Sequence, residues 1–424
     1  MTFFDEQTKK DRTKRMTIIE FFILIEYTHN QYVSQEVIIK FKKLVLGKIY
    51  LLHFLIFWIY YYVVIELRNF VKNIRSYKPG KPIEEVVREL GIKEEIIKLS
   101  SNENPLGPSP KAVQSIKEKI KDINIYPDNN CFYLKKKLGE KFNIQPDNIT
   151  VGSGSVELIE LIFKAYVNPG DEVIMSDPSF IMYRIACQIF GGKRIAIPLK
   201  NYAHDIETMT KAINEKTKII ILDNPINPTG TIITKDKFNY FVEKVPENVI
   251  LVVDEAYREY IENENYPNAI DYLKKHENII ILHTFSKIYG LAGLRVGYGF
   301  SSTDIIAALM KVSLPFNVNR ISQIAATAAL NDDEFVRKSY ESNEAGKKFL
   351  YKELEQLNLQ YTPTYGNFIL VNLEREAKGV FQAAQKRGVI LRTILEYGLP
   401  NSLRITIGTP QQNKKLIEVL KTII

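Results

Sequence analysis

Cysteine is nearly absent from this 424-residue chain: Cys131 and Cys187 are the only two, which excludes a disulfide framework. With just five scattered histidines, the chain also gives no sign of a structural zinc site. The setting these absences imply is reducing and cytoplasmic. Concentrated charge is missing as well. The formal net charge of +8 hints at nucleic acid, yet no basic cluster with interleaved aromatics stands out, and a mildly basic protein acting on anionic small molecules is the simpler reading. Nor is there an ordinary secretory leader. The apolar run Ile49 to Ile65, interrupted by His53, begins too far from the start, and no small-residue cleavage site follows it.

That run supports two readings. Its length, about 17 residues, reaches the lower limit for a membrane span, and Lys40, Lys42, Lys43 and Lys48 precede it as orienting charges. Alternatively, residues 1–63 come from a mis-assigned start, with Val64 or a neighbour as the true beginning. No methionine lies between Met16 and Met175, and the segment is rich in Phe, Ile, Tyr and Lys, as translated AT-rich spacer DNA would be. The second reading is preferred here; both leave 1–63 outside the fold. The rest, in a chain 45% hydrophobic and 25% charged, suffices for one large α/β domain and a smaller one.

The segment Thr284 to Gly299, TFSKIYGLAGLRVGYG, sets one lysine where an amine can do chemistry. The apolar, β-branched run Asn278 to Leu282 reads as a buried strand, so Lys287 emerges at its end. Burial and a nearby cation lower a lysine's pKa, and a neutral lysine condenses with aldehydes. Ser286 and Arg295 flank it with phosphate-seeking groups. Upstream, a helix is expected from about Phe132 to Phe142, and the strand Asn148 to Val151 feeds Gly152-Ser153-Gly154-Ser155 and a helix beginning near Val156. Small residues between a strand and a helix start make an anion cradle; the third glycine of the dinucleotide fingerprint is absent. Asp171 to Met175 reads as a strand followed by Phe180, an aromatic able to stack on a flat ring. Lys218 to Leu222 is an apolar strand leading to Asp223-Asn-Pro-Ile-Asn-Pro-Thr-Gly230, whose two Asn-Pro pairs force a turn that frees the Asn227 amide. Val249 to Val253 is apolar on both faces and ends in Asp254-Glu-Ala-Tyr257. A carboxylate at the end of a buried strand needs a cation. Towards the C-terminus a long charged helix runs from about Asp333 to Leu357, and short strands follow, among them Val389 to Arg392 and Ser402 to Ile407.

Together these motifs resemble fold-type I pyridoxal-phosphate aminotransferases of class II, and the sub-pattern is most similar to the histidinol-phosphate aminotransferases. The resemblance runs from about Glu66 to the C-terminus. It implies an α/β fold with a mainly parallel central sheet flanked by helices and a smaller α/β C-terminal domain. The expected boundaries are 64–115 for an N-terminal arm and part of the small domain, 116–319 for the large cofactor-binding domain, and 320–424 for a linking helix and the small domain. The implied cofactor is pyridoxal 5'-phosphate, with no metal.

Carried over by the resemblance, Lys287 is the cofactor-bearing amine and Asp254 the partner of the ring nitrogen. Asn227 and Tyr257 approach the ring's phenolic oxygen. Ser153, Gly154, Ser286 and Arg295 hold the phosphate. Phe180 stacks on the ring, where relatives often carry tyrosine or tryptophan. Tyr126, in a Tyr-Pro-Asp motif, reaches the phosphate of the neighbouring subunit, which makes the enzyme a homodimer. Arg404, in SLRITIGT, grips the substrate carboxylate, and Arg392 joins it for a phosphate. Asn102, Asn104 and Gly107, with Tyr77 in the YKPGKP arm, line the substrate pocket. Two departures stand out: Ile226 replaces a usually polar residue, and Thr393 to Tyr397 replaces the small residues expected after Arg392. The activity implied is transamination between L-histidinol phosphate and 2-oxoglutarate in histidine biosynthesis. The alternatives are an aromatic or aspartate aminotransferase and a threonine-phosphate decarboxylase of the same fold. A DNA-binding regulator is disfavoured because the N-terminal segment offers no helix-turn-helix.

Overall fold

The computed structural model describes residues 67–74, 80, 82–91 and 95–424. The run Ile49 to Ile65 and Tyr77, with much of its arm, lie outside these residues. Among the described residues no helix is long and apolar enough to cross a membrane.

A short strand, β1 (Ile97–Lys98), precedes the main sheet. That sheet comprises β2 (Ile149–Gly152), β3 (Glu172–Asp177), β4 (Lys193–Pro198), β5 (Thr217–Asp223), β6 (Ile250–Asp254), β7 (Ile279–Thr284) and β8 (Gly297–Phe300). Its order is β2-β8-β7-β6-β5-β3-β4. β8 runs antiparallel to both its neighbours, and the pairs from β7 across to β4 are parallel.

The central strands are apolar in continuous runs because both of their faces are covered. Leu251, Val253, Ile279 and Ile281 enter one hydrophobic cluster; Ile250, Val252, Ile280 and Leu282, one residue out of step, enter another. The edge strand β4 behaves differently. Lys193 and Arg194 are exposed there, as suits a strand with an unpaired side.

The smaller part holds β9 (Gln360–Thr362), β10 (Phe368–Asn372), β11 (Val389–Ile390), β12 (Arg392–Ile394) and β13 (Leu399–Thr406). Four of these form an antiparallel sheet in the order β12-β13-β10-β9, while β11 pairs in parallel with β1. The expected single strand Val389 to Arg392 is therefore two. Val389 and Ile390 pair with Ile97 and Lys98, and Arg392 starts afresh opposite Arg404. The 24-residue helix Asp333–Gln356 joins the two cores: Val336 and Tyr340 pack on the large one, Leu350 and Leu354 within the small one.

What the fold does for the site is a matter of register. β5 ends at Asp223 and β6 at Asp254, and these two residues are Cα partners; Asp254 in turn pairs with Leu282 of β7, five residues before Lys287. The carboxyl ends of three parallel strands thus present an acid, an acid and the lysine loop side by side, where open α/β sheets hold their ligands.

Candidate active site

Lys287 lies three residues past the end of β7 and points its Nζ at the Ser101 carbonyl, 3.3 Å away, and over the Tyr257 ring, 5.6 Å from its centroid. Burial lowers its pKa from the usual 10.5 to about 8. Arg404 and Arg295 add to the effect, and Glu103 and Asp254 oppose it. An amine so placed is partly neutral near physiological pH and is a competent nucleophile for an aldehyde.

Asp254 is 4% exposed. Its Oδ2 accepts the Tyr183 hydroxyl at 2.8 Å and its Oδ1 the Ala256 N–H at 3.1 Å. Burial pushes its pKa up, and these two donors pull it back. Tyr257 follows Ala256 directly in the turn after β6. It is held by Asn102, whose Nδ2 donates to the phenol oxygen at 2.9 Å, and by edge contact with Phe368 at 5.1 Å. Burial raises its pKa to about 12, so it stays a neutral donor.

Asn227 lies in the turn after β5. Its backbone N–H donates to Asp223 Oδ2 at 3.0 Å, and its Oδ1 accepts Arg404 Nη1 at 2.6 Å. The carbonyl end of this amide is thus committed to Arg404, and the donor end is the part suited to a ligand oxygen. Arg404 also donates to the Ser100 carbonyl at 2.9 Å and sits over Phe368, 5.5 Å from its centroid. Phe180 caps the helix Ile181–Ile189; its N–H faces the same Asp223 oxygen at 3.4 Å, and its ring meets Tyr183 edge-on at 5.5 Å.

The cradle forms where β2 passes into the helix Ser155–Tyr166. Gly154 has φ +81°, and a Cβ there would lie 2.4 Å from Arg295 Nη2; a Cβ on Gly297 would lie 2.4 Å from the Ser155 nitrogen. Only glycine permits this approach. Arg295 donates to the Ala292 carbonyl at 3.1 Å and reaches Ser286 Oγ at 3.5 Å, so the arginine, the serine and the glycine turn converge. Ser153 contributes its backbone N–H, which donates to the Glu157 carboxylate; Asn317 Nδ2 donates to the same carboxylate at 2.7 Å.

The remaining expected residues are placed differently. Arg392 and Arg404 are Cα partners on β12 and β13, and Arg392 Nη2 pairs with Glu396 Oε2 at 3.1 Å. Asn104 spends its amide within the chain, on the Ile288 carbonyl at 2.7 Å and Ser339 Oγ at 2.8 Å, and so braces the loop behind Lys287. Tyr126 stands outside the cluster, 77% exposed and stacked on Phe316 at 4.6 Å.

The sequence reading gave no role to Tyr183, Asp223 and Glu157, and it placed Asn102 in the substrate pocket, where the structure has it hold the Tyr257 hydroxyl. Of these only Asn102 carried a local signal, in the Asn-rich turn. Glu255, left without a role, belongs to a buried network with His283 at 2.9 Å and Tyr266 at 2.9 Å.

A cofactor with an aldehyde, a basic ring nitrogen, a phenolic oxygen and a phosphate matches this donor set, and the glycine-lined cradle beside Arg295 is shaped for its anionic end. Such a sheet, with lysine, acid and cradle at its strand ends, defines a fold-type I pyridoxal-phosphate-dependent transferase. The comparisons agree. The family model for aminotransferases of class I and II matches residues 94–420. The chain is 47% identical over 360 residues to the histidinol-phosphate aminotransferase of Moorella thermoacetica, covering 85% of this chain and 93% of the relative. It is also 47% identical to that of Caldicellulosiruptor saccharolyticus, covering 84% and 99%. The solved histidinol-phosphate aminotransferase of Sinorhizobium meliloti, in complex with pyridoxal-5'-phosphate, superposes with a TM-score of 0.78 at 25% identity, covering 85% of this chain and 98% of that one. The chain belongs to the class I and II aminotransferases and, within them, to the histidinol-phosphate aminotransferase family. It is a pyridoxal-phosphate-dependent enzyme.

Proposed function

We propose that the enzyme transfers the amino group of L-histidinol phosphate to 2-oxoglutarate, giving imidazole-acetol phosphate and L-glutamate, as a cytoplasmic homodimer. The observation that carries this reading is the convergence of Asn227, Asp254, Tyr257 and Lys287 at the ends of β5, β6 and β7, with Lys287 over the Tyr257 ring and Arg404 on the Asn227 amide. When bound, pyridoxal phosphate supplies the aldehyde and an electron-withdrawing ring. The chain's own groups do the rest. Ser286, Arg295 and the Gly154 turn bind the phosphate, Asp254 faces the ring nitrogen, and Asn227 and Tyr257 donate to the phenolic oxygen. Lys287 would hold the cofactor in the resting enzyme and, once released, carry the proton from the donor's amino-bearing carbon to the cofactor's aldehyde carbon, and in the reverse direction onto the acceptor's carbonyl carbon in the second half-reaction. Arg404 grips the carboxylate of glutamate. With Arg392 opposite it, two guanidiniums are available for the more highly charged phosphate of the other substrate. Tyr126, exposed on the single chain, fits a role in a neighbouring subunit.

Amino-donor preference tests the assignment. Histidinol phosphate should exceed phenylalanine and aspartate in kcat/KM by orders of magnitude. Equal use of donors lacking a phosphate would favour an aromatic or aspartate aminotransferase, and carbon dioxide release from threonine phosphate would favour the decarboxylase. Homodimerisation is tested by hybrids of Tyr126→Ala and Lys287→Ala chains. If sites are shared, mixing the two weakly active variants restores activity to about a quarter of the sites in a statistical mixture.

A further inference from the structure

Asp254 does not end its strand alone. Its Cα pairs with that of Asp223, so two acids, 4% and 3% exposed, finish neighbouring parallel strands on one face of the sheet. Adjacent buried carboxylates do not readily share the interior as two anions; one tends to keep a proton. Which one keeps it decides whether the ring-nitrogen position meets an anion or a neutral acid.

The partners of the two acids are unequal. Asp223 receives the N–H groups of Asn227 and Phe180 on Oδ2, and its Oδ1 has no hydrogen-bond partner. His204 is near, with Nε2 3.5 Å from that Oδ1, but it brings no countercharge. Its Nε2 is bonded to the Asp223 carbonyl at 2.9 Å and its Nδ1 to Ser176 Oγ at 2.6 Å, and burial holds its pKa down to about 4. Asp254, in contrast, has both oxygens engaged, one by the Ala256 N–H and one by Tyr183. The Tyr183 phenol is 1% exposed and comes from the first turn of the helix that Phe180 caps. Burial and the neighbouring acids push its own pKa far up, so it stays a neutral phenol, and its hydroxyl donates to Asp254 Oδ2. The other titratable groups that bear on Asp254 include Glu255, which adds negative charge, His283, which opposes it, and Lys287 and Tyr257, whose own pKa values Asp254 raises.

We propose that Tyr183 is a positioning residue that makes Asp254 the ionised member of this buried acid pair and aims its carboxylate at the ring nitrogen. The proposal rests on the reading that Asp254 faces that nitrogen. Phenylalanine at 183 keeps the packing and removes one donor, so the consequence is electrostatic. Asp254 is then easier to protonate, and the cation it should hold is held less well.

The test is a double-mutant cycle of Tyr183→Phe and Asp254→Asn, with pyridoxal phosphate titrated into each cofactor-free protein and circular dichroism as the check on folding. Tyr183→Phe should weaken cofactor binding on the order of tenfold to a hundredfold, the range for losing a hydrogen bond to a charged group. It should also move the pH dependence of the loaded enzyme's visible absorption and lower kcat more than it raises KM. In the Asp254→Asn background the same change should alter affinity less than about twofold. Unchanged affinity in Tyr183→Phe, while Asp254→Asn weakens binding, overturns the proposal and leaves the reading of Asp254 intact. Equal losses in both backgrounds also overturn it, because the tyrosine then acts through packing. If Asp254→Asn itself leaves affinity and absorption unchanged, the ring-nitrogen reading falls and takes the proposal with it.

Discussion

The protonation of Lys287 is open to direct measurement, because burial and two guanidiniums, Arg404 and Arg295, lower it separably. Its pKa falls from 10.5 to about 8, burial being the larger cause and the Arg404 guanidinium the next. In Arg404→Gln the first cause stays and the second goes. Since Arg404 is the next cause after burial, Lys287's pKa should rise in this variant, recovering part of the gap. Arg404→Lys keeps the positive charge and should leave Lys287 nearly unmoved, although one ammonium cannot serve both the Asn227 Oδ1 and the Ser100 carbonyl that the guanidinium bridges. The two variants therefore separate the charge of Arg404 from its fork.

The assay is acylation of the cofactor-free enzyme by a neutral reagent across pH, read by mass spectrometry on the peptide that carries Lys287. At pH 8 a lysine with a pKa of about 8 is half neutral, whereas an ordinary one is below roughly 1% neutral, so Lys287 should react about a hundredfold faster than exposed lysines per accessible amine. The same displacement has a stability sign. The folded pKa lies below the unfolded one, so between about pH 8 and 10.5 the unfolded chain binds more protons, and the cofactor-free enzyme should gain stability from this residue as pH rises through that window. A wild-type midpoint near 10.5, or equal displacement in Arg404→Gln and Arg404→Lys, refutes the reasoning.

Other expectations follow from the same geometry. Lys287→Ala should abolish turnover and the visible absorption of the loaded enzyme; retained turnover would remove the lysine from the mechanism. Gly154→Ala places a Cβ 2.4 Å from Arg295 Nη2 at a φ of +81°, so equilibrium dialysis should show cofactor affinity reduced at least about tenfold. Burial raises the pKa of Asp223 to about 7, so its contribution to stability is present below about pH 4 and is lost as pH rises towards 7. Asp223→Asn should flatten that slope in melting temperature against pH, and an unchanged slope would place the proton elsewhere.

The sequence was most legible where local chemistry and tertiary context agree. The helix Phe132–Phe142 matches its expected bounds because its apolar period is clear and Asn143 stops it in the left-handed conformation. Strands β5, β6 and β7 fall within a residue or two of expectation because burial on both faces leaves a continuous apolar run. β4 escaped notice because an exposed edge dilutes that signal with Lys193 and Arg194. The helix Pro110–Lys119 was legible in principle: Ser109 caps it through the Ala112 N–H and Pro110 opens it. The split between β11 and β12 was not, because nothing in Val389 to Arg392 says that its first two residues pair with Ile97 and Lys98, far away in sequence. The same distinction holds within the site. Residues in motifs could be listed in chain order, but Tyr183 and Asp223 act through partners that only the assembled sheet supplies.

The assembled site also shows what its cations rest on: Arg392 and Arg404 are buried, and Arg295 is exposed at the cradle. Arg404 rests on Asn227 and Ser100, Arg295 on Ala292 and Ser286, and Arg392 on Glu396. The Ser153 N–H of the cradle likewise rests on Glu157. A buried guanidinium without acceptors would be costly, and one locked in a perfect buried ion pair would resist exchange. Carbonyls, an amide oxygen and a hydroxyl lie between these extremes. They engage the terminal guanidinium nitrogens, leaving the buried Arg404 Nε without a partner among the described residues, while a phosphate or carboxylate competes with the advantage of charge. Glu396 and Glu157 are the exceptions, carboxylates beside groups proposed to receive anions. If Arg392 receives the substrate phosphate as proposed, that ligand must first displace the Glu396 carboxylate paired with it at 3.1 Å.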